Sequence, residues 1–509
     1  MEKKLYDSKI QNGNYNFLMG FPNCKSFALS SLGYMWLYRI ADLADGINAE
    51  IICTDYNTEY RAEQADAISF SLSFDFDFMG VFEILDRHGI PFLSYERDDN
   101  SPLIFAGGPV LTTNPEPYKD IFDFIIIGDG EDVFKDVLNI LKLKLNKKET
   151  LKELSKLDCV YIPYLTSSVK KCTVKLNNII YTPIISDESY FKDTFIIEVA
   201  RGCSNRCAFC TASYINLPFR SYEYKKIIDS IELGLKYTNK IALLGAQISA
   251  HPDFYKIMDY IRNKIENGQE IELGISSLRT DAVTPELIKT LVMGGQKTST
   301  IAIEAASEKL RKFINKNLKN EQIYNAVKIS KENGLKGLKI YSMIGIPEET
   351  QDDIDEFISL AKNLKEDNKG FKLEFSFSSF VPKPQTPFQW CKREETNTLE
   401  KKQKYLEKAL AKIGIESKFS SIKWDYWQTV LSRGGSELTP LLIKVYKNGG
   451  KLGAYKSAAK ELNIALGKYI QEYPLEANLD WDFINNFVSK EQLISEYKRL
   501  NRITFCKEL

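Results

Sequence analysis

Three of the nine cysteines in this 509-residue chain fall within eight residues, at Cys203, Cys207 and Cys210. An apolar run at residues 195–200 precedes them directly, so they belong to a loop that follows a predicted strand. Iron–sulfur clusters are held by cysteine thiolates, ordinarily four. Three thiolates on one short loop leave one iron of a four-iron cluster without a protein ligand, and an open metal position is typical of a catalytic site. Arg201 and Arg206 add positive charge that should help to keep the thiolates ionised.

Other interpretations of this cysteine group fit the residues less well. A structural zinc ion needs a fourth ligand, and the loop itself offers no further Cys or His. A redox disulfide needs only one pair of thiols. Chance clustering of core cysteines does not suit a polar loop that contains a glycine.

The overall charge excludes some classes of protein. Lys+Arg and Asp+Glu both number 68, so no net charge favours nucleic acid or an anionic membrane. The N-terminus lacks an apolar run of signal-peptide length, and no stretch reaches the ~20 apolar residues of a membrane span. We therefore expect a cytoplasmic protein. With only His88 and His251 present, zinc hydrolysis and histidine proton relays are disfavoured.

In a reducing cytoplasm the remaining cysteines should be free thiols, and we expect them to be small buried hydrophobic residues. They are scattered at Cys24, Cys53, Cys159, Cys172, Cys391 and Cys506.

The first 150 residues alternate between short apolar runs and amphipathic segments such as Phe78–Arg87. The predicted strands are residues 15–21, 50–53, 67–72, 103–106 and 124–127. This alternation predicts a doubly wound, Rossmann-like α/β domain over residues 1–150. Glycine-rich turns at residues 107–109 and 128–131 follow two strands, at the sheet edge where such folds bind ligands. A tight turn alone also accounts for glycine there.

Residues 151–190 are predicted to form a connector with a small hairpin at residues 168–185, around Asn177 and Asn178. A second α/β series follows over residues 191–392, with strands at 195–200, 240–244, 272–277, 299–304, 337–343 and 373–380. Six β/α units predict a partial (β/α)6 barrel with its site at the C-terminal mouth of the strands. Residues 393–509 are predicted to be a mainly helical C-terminal domain with an aromatic core.

The cysteine loop resembles the radical S-adenosylmethionine (SAM) superfamily motif Cys-x3-Cys-x-φ-Cys, with Phe209 as the aromatic residue. Four further segments resemble a branch of that superfamily that joins an N-terminal cobalamin-binding-like domain to the barrel. They are residues 300–317 (TIAIEAASEKLRKFINKN), 345–350 (GIPEET), 380–390 (FVPKPQTPFQW) and 431–435 (LSRGG). The resemblance implies a [4Fe–4S] cluster on the three cysteines that cleaves SAM reductively to a 5′-deoxyadenosyl radical.

The resemblance also implies positions for SAM. The family binds the SAM amine with Gly-Gly-Glu after the second strand, where this chain has Gly245-Ala-Gln247 and thus lacks the charge. Glu304 stands where the family binds ribose, although a rim residue paired with a lysine explains it too. The segment from Tyr341 to Gly345 resembles the part of the fifth strand that packs on adenine, although its apolar residues fit a plain barrel core equally well. Arg279 fits the SAM carboxylate or, equally, a surface ion pair.

Two features bear on a second cofactor or a catalytic proton donor. Asp86-Arg-His88-Gly89 is superficially similar to the cobalamin motif Asp-x-His-x-x-Gly, but its spacing differs, and His88 is predicted to end a helix capped by Gly89. Any cobalamin is therefore expected to bind without a histidine beneath the cobalt. The N-terminal domain either binds cobalamin or retains the fold for packing alone, and the residues slightly favour a retained fold whose cofactor is not decided. His251, after the second barrel strand, fits a helix cap better than a catalytic acid or base.

These features predict a radical SAM enzyme, with cobalamin-assisted methyl transfer as one function that the two domains allow. The alternatives are radical chemistry without cobalamin and a non-catalytic regulator that binds a cluster or cobalamin. A methylthiolating tRNA enzyme is disfavoured because Cys24 and Cys53 cannot supply a second set of three cysteines. The resemblance further implies an electron donor such as flavodoxin or ferredoxin. The substrate, the catalytic residues and the oligomeric state are not predicted.

Overall fold

The computed structural model describes residues 2–8, 13–57 and 64–505, so Cys506 lies outside the described residues. The strands of the N-terminal part and the connector are β1 (Lys3–Lys4), β2 (Tyr15–Phe21), β3 (Ile47–Cys53), β4 (Ala67–Ser71), β5 (Leu103–Gly107), β6 (Phe124–Ile126), β7 (Val160–Tyr161), β8 (Val169–Lys170) and β9 (Ile184–Ile185). The helices of the same region are α1 (Lys25–Ser30), α2 (Leu32–Asp42), α3 (Phe78–Arg87), α4 (Pro109–Thr113), α5 (Val133–Leu141) and α6 (Lys147–Leu154).

The N-terminal sheet has the strand order β3-β2-β4-β5-β6-β7. Its first five strands are parallel, and β7 is antiparallel to β6. Successive residues of β2 enter different cores, since Phe17 and Met19 lie in one cluster and Leu18 in another. Helices therefore cover both faces, and the predicted doubly wound fold is confirmed. The chain order reverses at β2, which opens a crevice at the carboxyl ends of the strands.

The predicted hairpin at residues 168–185 is wrong. β9 pairs with β1, and β8 pairs in parallel with Ile484–Asn485 near the C-terminus. Each of these strands is only two residues long, so distant backbone decides their pairing rather than the local turn.

Two of the scattered cysteines are not free thiols. Cys159 and Cys172 form a disulfide, with their Cα atoms 5.5 Å apart, so the expectation that they are reduced is wrong. Cys53 and Cys391 are buried free thiols as predicted, whereas Cys24 is only half-buried.

The second α/β series begins at residue 194. Its strands are β10 (Thr194–Glu198), β11 (Ala200–Arg201), β12 (Arg220–Ser221), β13 (Lys240–Leu244), β14 (Glu272–Ile275), β15 (Leu278–Arg279), β16 (Thr298–Glu304), β17 (Gly337–Ile344), β18 (Lys372–Ser379) and β19 (Glu416–Phe419). Its helices are α7 (Ala212–Ile215), α8 (Tyr224–Gly234), α9 (Phe254–Glu266), α10 (Pro285–Met293), α11 (Glu308–Phe313), α12 (Asn320–Glu332), α13 (Gln351–Asp367) and α14 (Thr396–Lys412).

These strands form an open arc of parallel neighbours. One sheet has the order β10-β13-β14, and the other has the order β15-β16-β17-β18-β19. β14 and β15 are the two halves of one strand, interrupted at Ser276 and Ser277. The partial barrel is therefore confirmed, with β19 as an added strand that the sequence did not predict. Buried residues of its strands and outer helices share one apolar cluster.

The C-terminal region is mainly helical, as predicted. Its elements are α15 (Ile422–Arg433), α16 (Thr439–Lys447), α17 (Leu452–Glu461), α18 (Gly467–Ile470), β20 (Ile484–Asn485) and α19 (Lys490–Phe505). Trp427, Tyr455 and Trp481 are buried in one apolar cluster with Phe78 and Phe82 of α3. This region therefore packs on the N-terminal sheet unit, and its last helix, α19, also packs on the barrel, where Leu500 lies in a cluster with Phe313 of α11. Among the helices described, none combines the length and apolar character needed to cross a membrane.

Candidate functional site

The cysteine loop leaves the barrel mouth directly after β11. Gly202 has a φ of +84°, and an added Cβ would lie 2.5 Å from the Asn216 carbonyl oxygen, so the chain can turn tightly only with glycine there. Cys207 is buried, Cys203 and Cys210 are half-buried, and all three are free thiols.

A segment after α11 fixes the backbone of the cysteine loop. The Asn315 side-chain amide donates to the carbonyl oxygens of Asn205, at 3.1 Å, and Arg206, at 3.0 Å. The Ala208 N–H donates to the Ile314 carbonyl at 2.9 Å. Both residues lie within the block at 300–317, so that block supports the loop physically.

The thiols differ in their surroundings. Burial raises the pKa of Cys207 to about 12, and it also raises the pKa of Cys210. The Cys203 thiol donates to Gln247 Oε1 at 3.1 Å. Within the described ranges, no three Cys, His, Asp or Glu side chains already converge as a metal site. The donor set nevertheless fits a cluster, because three unpaired thiols on one loop supply the ligands that iron–sulfur clusters use.

Arg201 does not act on the thiols as an isolated positive charge. Its guanidinium contacts Glu198 at 2.8 Å, Glu131 at 2.5 Å and Asp129 at 3.1 Å. Because three carboxylates balance it, the expectation that Arg201 keeps the cysteines ionised is wrong. Instead it joins the turn after β6 to the root of the cysteine loop.

A cavity of about 580 Å³ extends from the cysteine loop into the barrel. Phe209 and Glu304 line it together with Tyr341. Glu304 has a φ of +66° and forms an ion pair of 2.9 Å with Lys316. The carboxylate therefore has a lysine partner and also faces the cavity, so both interpretations of Glu304 are compatible.

Lys316 was not recognised from the sequence. Burial alone lowers its pKa, but the Glu304 carboxylate and the Cys207 thiolate hold it above the ordinary lysine value. The ammonium thus lies near both a predicted SAM contact and a predicted cluster ligand. A lysine in a Lys-rich chain gives no sequence signal for this placement, apart from its position in the block at 300–317.

The other predicted SAM contacts lie at the same mouth but in different surroundings. Arg279 forms a two-pronged ion pair with Asp281, with both contacts at 2.6 Å. Burial lowers the pKa of Arg279, but the Asp281 carboxylate and, to a smaller extent, the thiols of Cys203 and Cys207 raise it. The pKa of Arg279 therefore lies above the ordinary arginine value. Gly245 lines a different pocket, described below.

Gly345 is not among the residues that line the barrel cavity. It has a φ of +76°, and its N–H donates to Glu349 Oε2 at 2.8 Å. An added Cβ would lie 2.6 Å from Leu399 of α14, so this turn requires glycine for the close approach.

A second pocket, of about 670 Å³, lies between the N-terminal sheet and the barrel mouth. Both glycine-rich turns that follow β5 and β6 line it, as do Gly245 and Arg201. Gly108 has a φ of +110°, and a Cβ there would lie 2.4 Å from the Leu72 carbonyl oxygen. Ser277, at the break between β14 and β15, lines both this interdomain pocket and the barrel cavity. The two spaces therefore adjoin.

Neither histidine lines the interdomain pocket. His88 is the C-cap of α3 and Gly89 follows with a φ of +65°, as predicted. His251 is buried; its Nδ1 accepts the Asp253 N–H at 3.0 Å, and its Nε2 lies 2.8 Å from the Tyr222 carbonyl oxygen. Both ring nitrogens are used within the protein, as in a structural residue and not in a catalytic acid or base that faces a substrate.

Comparison with known proteins gives matches on both sides of the pocket. Residues 40–163 match the family of radical SAM proteins, N-terminal, and residues 197–361 match the radical SAM superfamily. An uncharacterized protein of Methanocaldococcus jannaschii is 32% identical over 391 residues, covering 75% of this chain and 81% of that protein. An uncharacterized methyltransferase of Pyrococcus horikoshii is 24% identical over a match that covers 59% of this chain and 67% of that protein.

The fold also resembles a solved structure. The cobalamin-dependent SAM radical enzyme OxsB, with aqua-cobalamin and SAM bound, superimposes with a TM-score of 0.55 at 15% identity. The match covers 96% of this chain and 79% of that one. At this identity the likeness concerns the arrangement of the N-terminal unit, the barrel and the C-terminal region.

Proposed function

Because the chain belongs to the radical SAM superfamily, and is thus a radical SAM enzyme with a [4Fe–4S] cluster and SAM as cofactors, we propose that it transfers methyl groups with the help of cobalamin. The observation that carries this proposal is the pair of adjoining cavities that meet at Ser277. One lies against the cysteine loop, and the other against the glycine-rich turns of the doubly wound sheet. Such an arrangement supports two cofactors that act on one substrate between them.

In this proposal Cys203, Cys207 and Cys210 hold the cluster, and the barrel cavity holds SAM. The cluster supplies the electron that splits SAM. Gln247 and Glu304 offer acceptor oxygens for the SAM amine and ribose hydroxyls, and Lys316 and Arg279 offer positive charge for its carboxylate. Gln247 is within reach of Cys203, so the loss of the family's acidic residue still leaves an acceptor next to the cluster.

Replacing Lys316 with methionine is expected to weaken SAM binding by about tenfold or more, because it removes a buried charge and leaves Glu304 without its partner. Equilibrium dialysis of the reconstituted protein with radiolabelled SAM measures the effect. Lys328→Met on α12 is the matched control, since its side chain is mostly exposed and its ion pair with Glu332 spans 4.0 Å. Equal losses in both variants would show that Lys316 has no specific role at the SAM site.

The interdomain pocket has the properties expected of a corrinoid site. Its volume lies within the range typical of cofactor pockets, and backbone at glycine turns allows close approach of a large ligand. Glu131 Oε2 is buried at its wall and has no hydrogen-bond partner within the described part of the chain. The amide N–H groups around a corrin ring are suitable donors for such an oxygen.

Anaerobic reconstitution with hydroxocobalamin tests the proposal. We expect about one corrinoid per chain, reductant-dependent 5′-deoxyadenosine and transfer of a labelled SAM methyl group to the bound corrinoid. Because no histidine lines the pocket, the EPR spectrum of the Co(II) form should lack splitting from a protein nitrogen, and His88→Ala should leave it unchanged. A protein that cleaves SAM but binds no corrinoid would refute the methyltransferase proposal. If iron binds and SAM is never cleaved, a regulatory role is favoured instead.

The proposal further includes a one-electron donor, such as flavodoxin or ferredoxin, and a cytoplasmic location. The need for a low-potential electron to reduce the cluster supports the first. The free thiols of the cysteine loop support the second, since cluster assembly requires reduced cysteines, whereas the disulfide between Cys159 and Cys172 argues against it.

A further inference from the structure

We propose that the β17–β19 side of the barrel cavity binds an anionic group, a carboxylate or a phosphate, of the molecule that is methylated. This anion subsite is defined by Lys339, Glu374 and Lys418 with the serines beside them. The inference rests on the proposed function, because it assigns the substrate of that site.

Alternation along the strands determines which side chains face the barrel interior. On β17 and β18, Ile340 and Phe375 are buried in the core beneath the outer helices. The alternate residues Lys339, Tyr341 and Ser376 therefore point to the other face. Tyr341 and Ser376 line the barrel cavity, and the tyrosine is 41% exposed there. The interior of the barrel on this side is thus open and polar.

The charged groups of this face leave an excess of positive charge. Lys418 Nζ contacts Glu374 Oε2 at 2.9 Å, and Lys339 Nζ lies 3.8 Å from Glu374 Oε1. Glu416 is shared between Lys372, at 3.0 Å, and Lys418, at 3.6 Å. Three lysines thus face two carboxylates. Lys418 lines the cavity with its side chain 58% exposed, so its remaining N–H donors are available to a ligand.

Hydroxyl groups add further donors on the same wall. Ser376 and Ser378 have the same alternation as Glu374 and line the cavity beside Lys418, since Ser376 pairs with Lys418 across the sheet. Ammonium and hydroxyl donors together suit an oxyanion better than a neutral or cationic group.

The opposite side of the barrel interior cannot serve this purpose. There Ile196 of β10 is buried against Leu32 and Trp36 of α2, which fill the space with apolar side chains. A polar group of the substrate is therefore directed to β17–β19. Phe209 of the cysteine loop lines the same cavity as Lys418. When Lys418 holds the anionic group of the substrate, the rest of the substrate can therefore extend toward the cysteine loop.

Matched small probes can test the anion subsite without the natural substrate. Binding of benzoate, its neutral analogue benzamide and phenyl phosphate to the reconstituted, SAM-loaded protein is measured by ligand-observed NMR. We expect one or both anions to bind more tightly than benzamide. Lys418→Met should weaken anion binding by about fivefold or more while leaving benzamide unchanged, because only the charge-assisted contact is lost.

Two further variants keep the test decisive. If Lys418→Met does not fold, Lys339→Met removes the other ammonium group that contacts Glu374 and serves in its place. Lys423→Met is the control, because its exposed side chain pairs with Glu400 outside the cavity. Preference for benzoate or for phenyl phosphate identifies the group as carboxylate or phosphate. Equal binding of benzoate, phenyl phosphate and benzamide, or no change in either Lys418→Met or Lys339→Met, would overturn the proposal. The corrinoid and SAM-cleavage assays test the methyltransferase proposal, and the binding assay tests the anion subsite. The failure of one proposal can therefore be told from the failure of the other.

Discussion

Replacing Cys203, Cys207 and Cys210 together with alanine is expected to remove the brown chromophore and essentially all bound iron. The reconstituted wild-type chain should hold about four irons, because three thiolates can bind three corners of a [4Fe–4S] cube. Reductant-dependent formation of 5′-deoxyadenosine should fall by at least about a thousandfold, since the electron that cleaves SAM comes from the cluster. Iron analysis, visible absorption and product chromatography measure the three quantities.

Cys24→Ala provides the matched control. Cys24 is also a half-buried free thiol, but it lies at the start of α1 and not on the cysteine loop. We expect this variant to retain iron and SAM cleavage. The triple variant should also fold, because the backbone of the loop is anchored by Asn315 and Ile314 rather than by the thiols. Survival of the cluster in the triple variant would refute the ligand assignment.

The strands of the N-terminal sheet and of the barrel could be predicted because their apolar pattern and the turn residues around them indicate the same structure. β2 and β13 have the predicted bounds, β16 begins one residue earlier than predicted, and β18 begins and ends one residue earlier. Continuous apolar runs in parallel strands, bounded by turn residues, leave little freedom in assignment. The motif spacing likewise placed the cysteine loop at the barrel mouth, since a loop that follows a barrel strand can lie nowhere else.

The features that the sequence did not predict depend on contacts between distant parts of the chain. β8 pairs with β20, more than three hundred residues away, and no local pattern in two residues encodes that partner. Arg201 was expected to act on its neighbours in the loop, yet Asp129 and Glu131 reach it from the other sheet. The placement of Lys316 could not be predicted for the same reason, because its proposed role depends on where α11 ends and not on its residue type.

Replacing Gly33 with phenylalanine is expected to weaken corrinoid binding strongly while iron content and SAM cleavage are retained. Gly33 is the second residue of α2 and lines the interdomain pocket, and a Cβ added there would meet no atom within 4 Å. The aromatic ring is therefore accommodated by empty space that the corrinoid would otherwise occupy. Corrinoid affinity should fall by at least about tenfold, since a ring that projects into the pocket clashes with a ligand that needs most of its volume. Methyl transfer should be lost with it.

Gly453→Phe is a closely matched control for this variant. Gly453 is also the second residue of its helix, α17, a Cβ there is equally free of contacts, and it does not line the pocket. Any general effect of replacing a glycine at the start of a helix should appear in both variants. Corrinoid titration followed by absorption, with thermal unfolding measured alongside, separates pocket filling from misfolding. If Gly33→Phe folds and still binds corrinoid with wild-type affinity, the cofactor does not occupy the crevice between the two sheets. The N-terminal unit would then support the barrel without binding cobalamin.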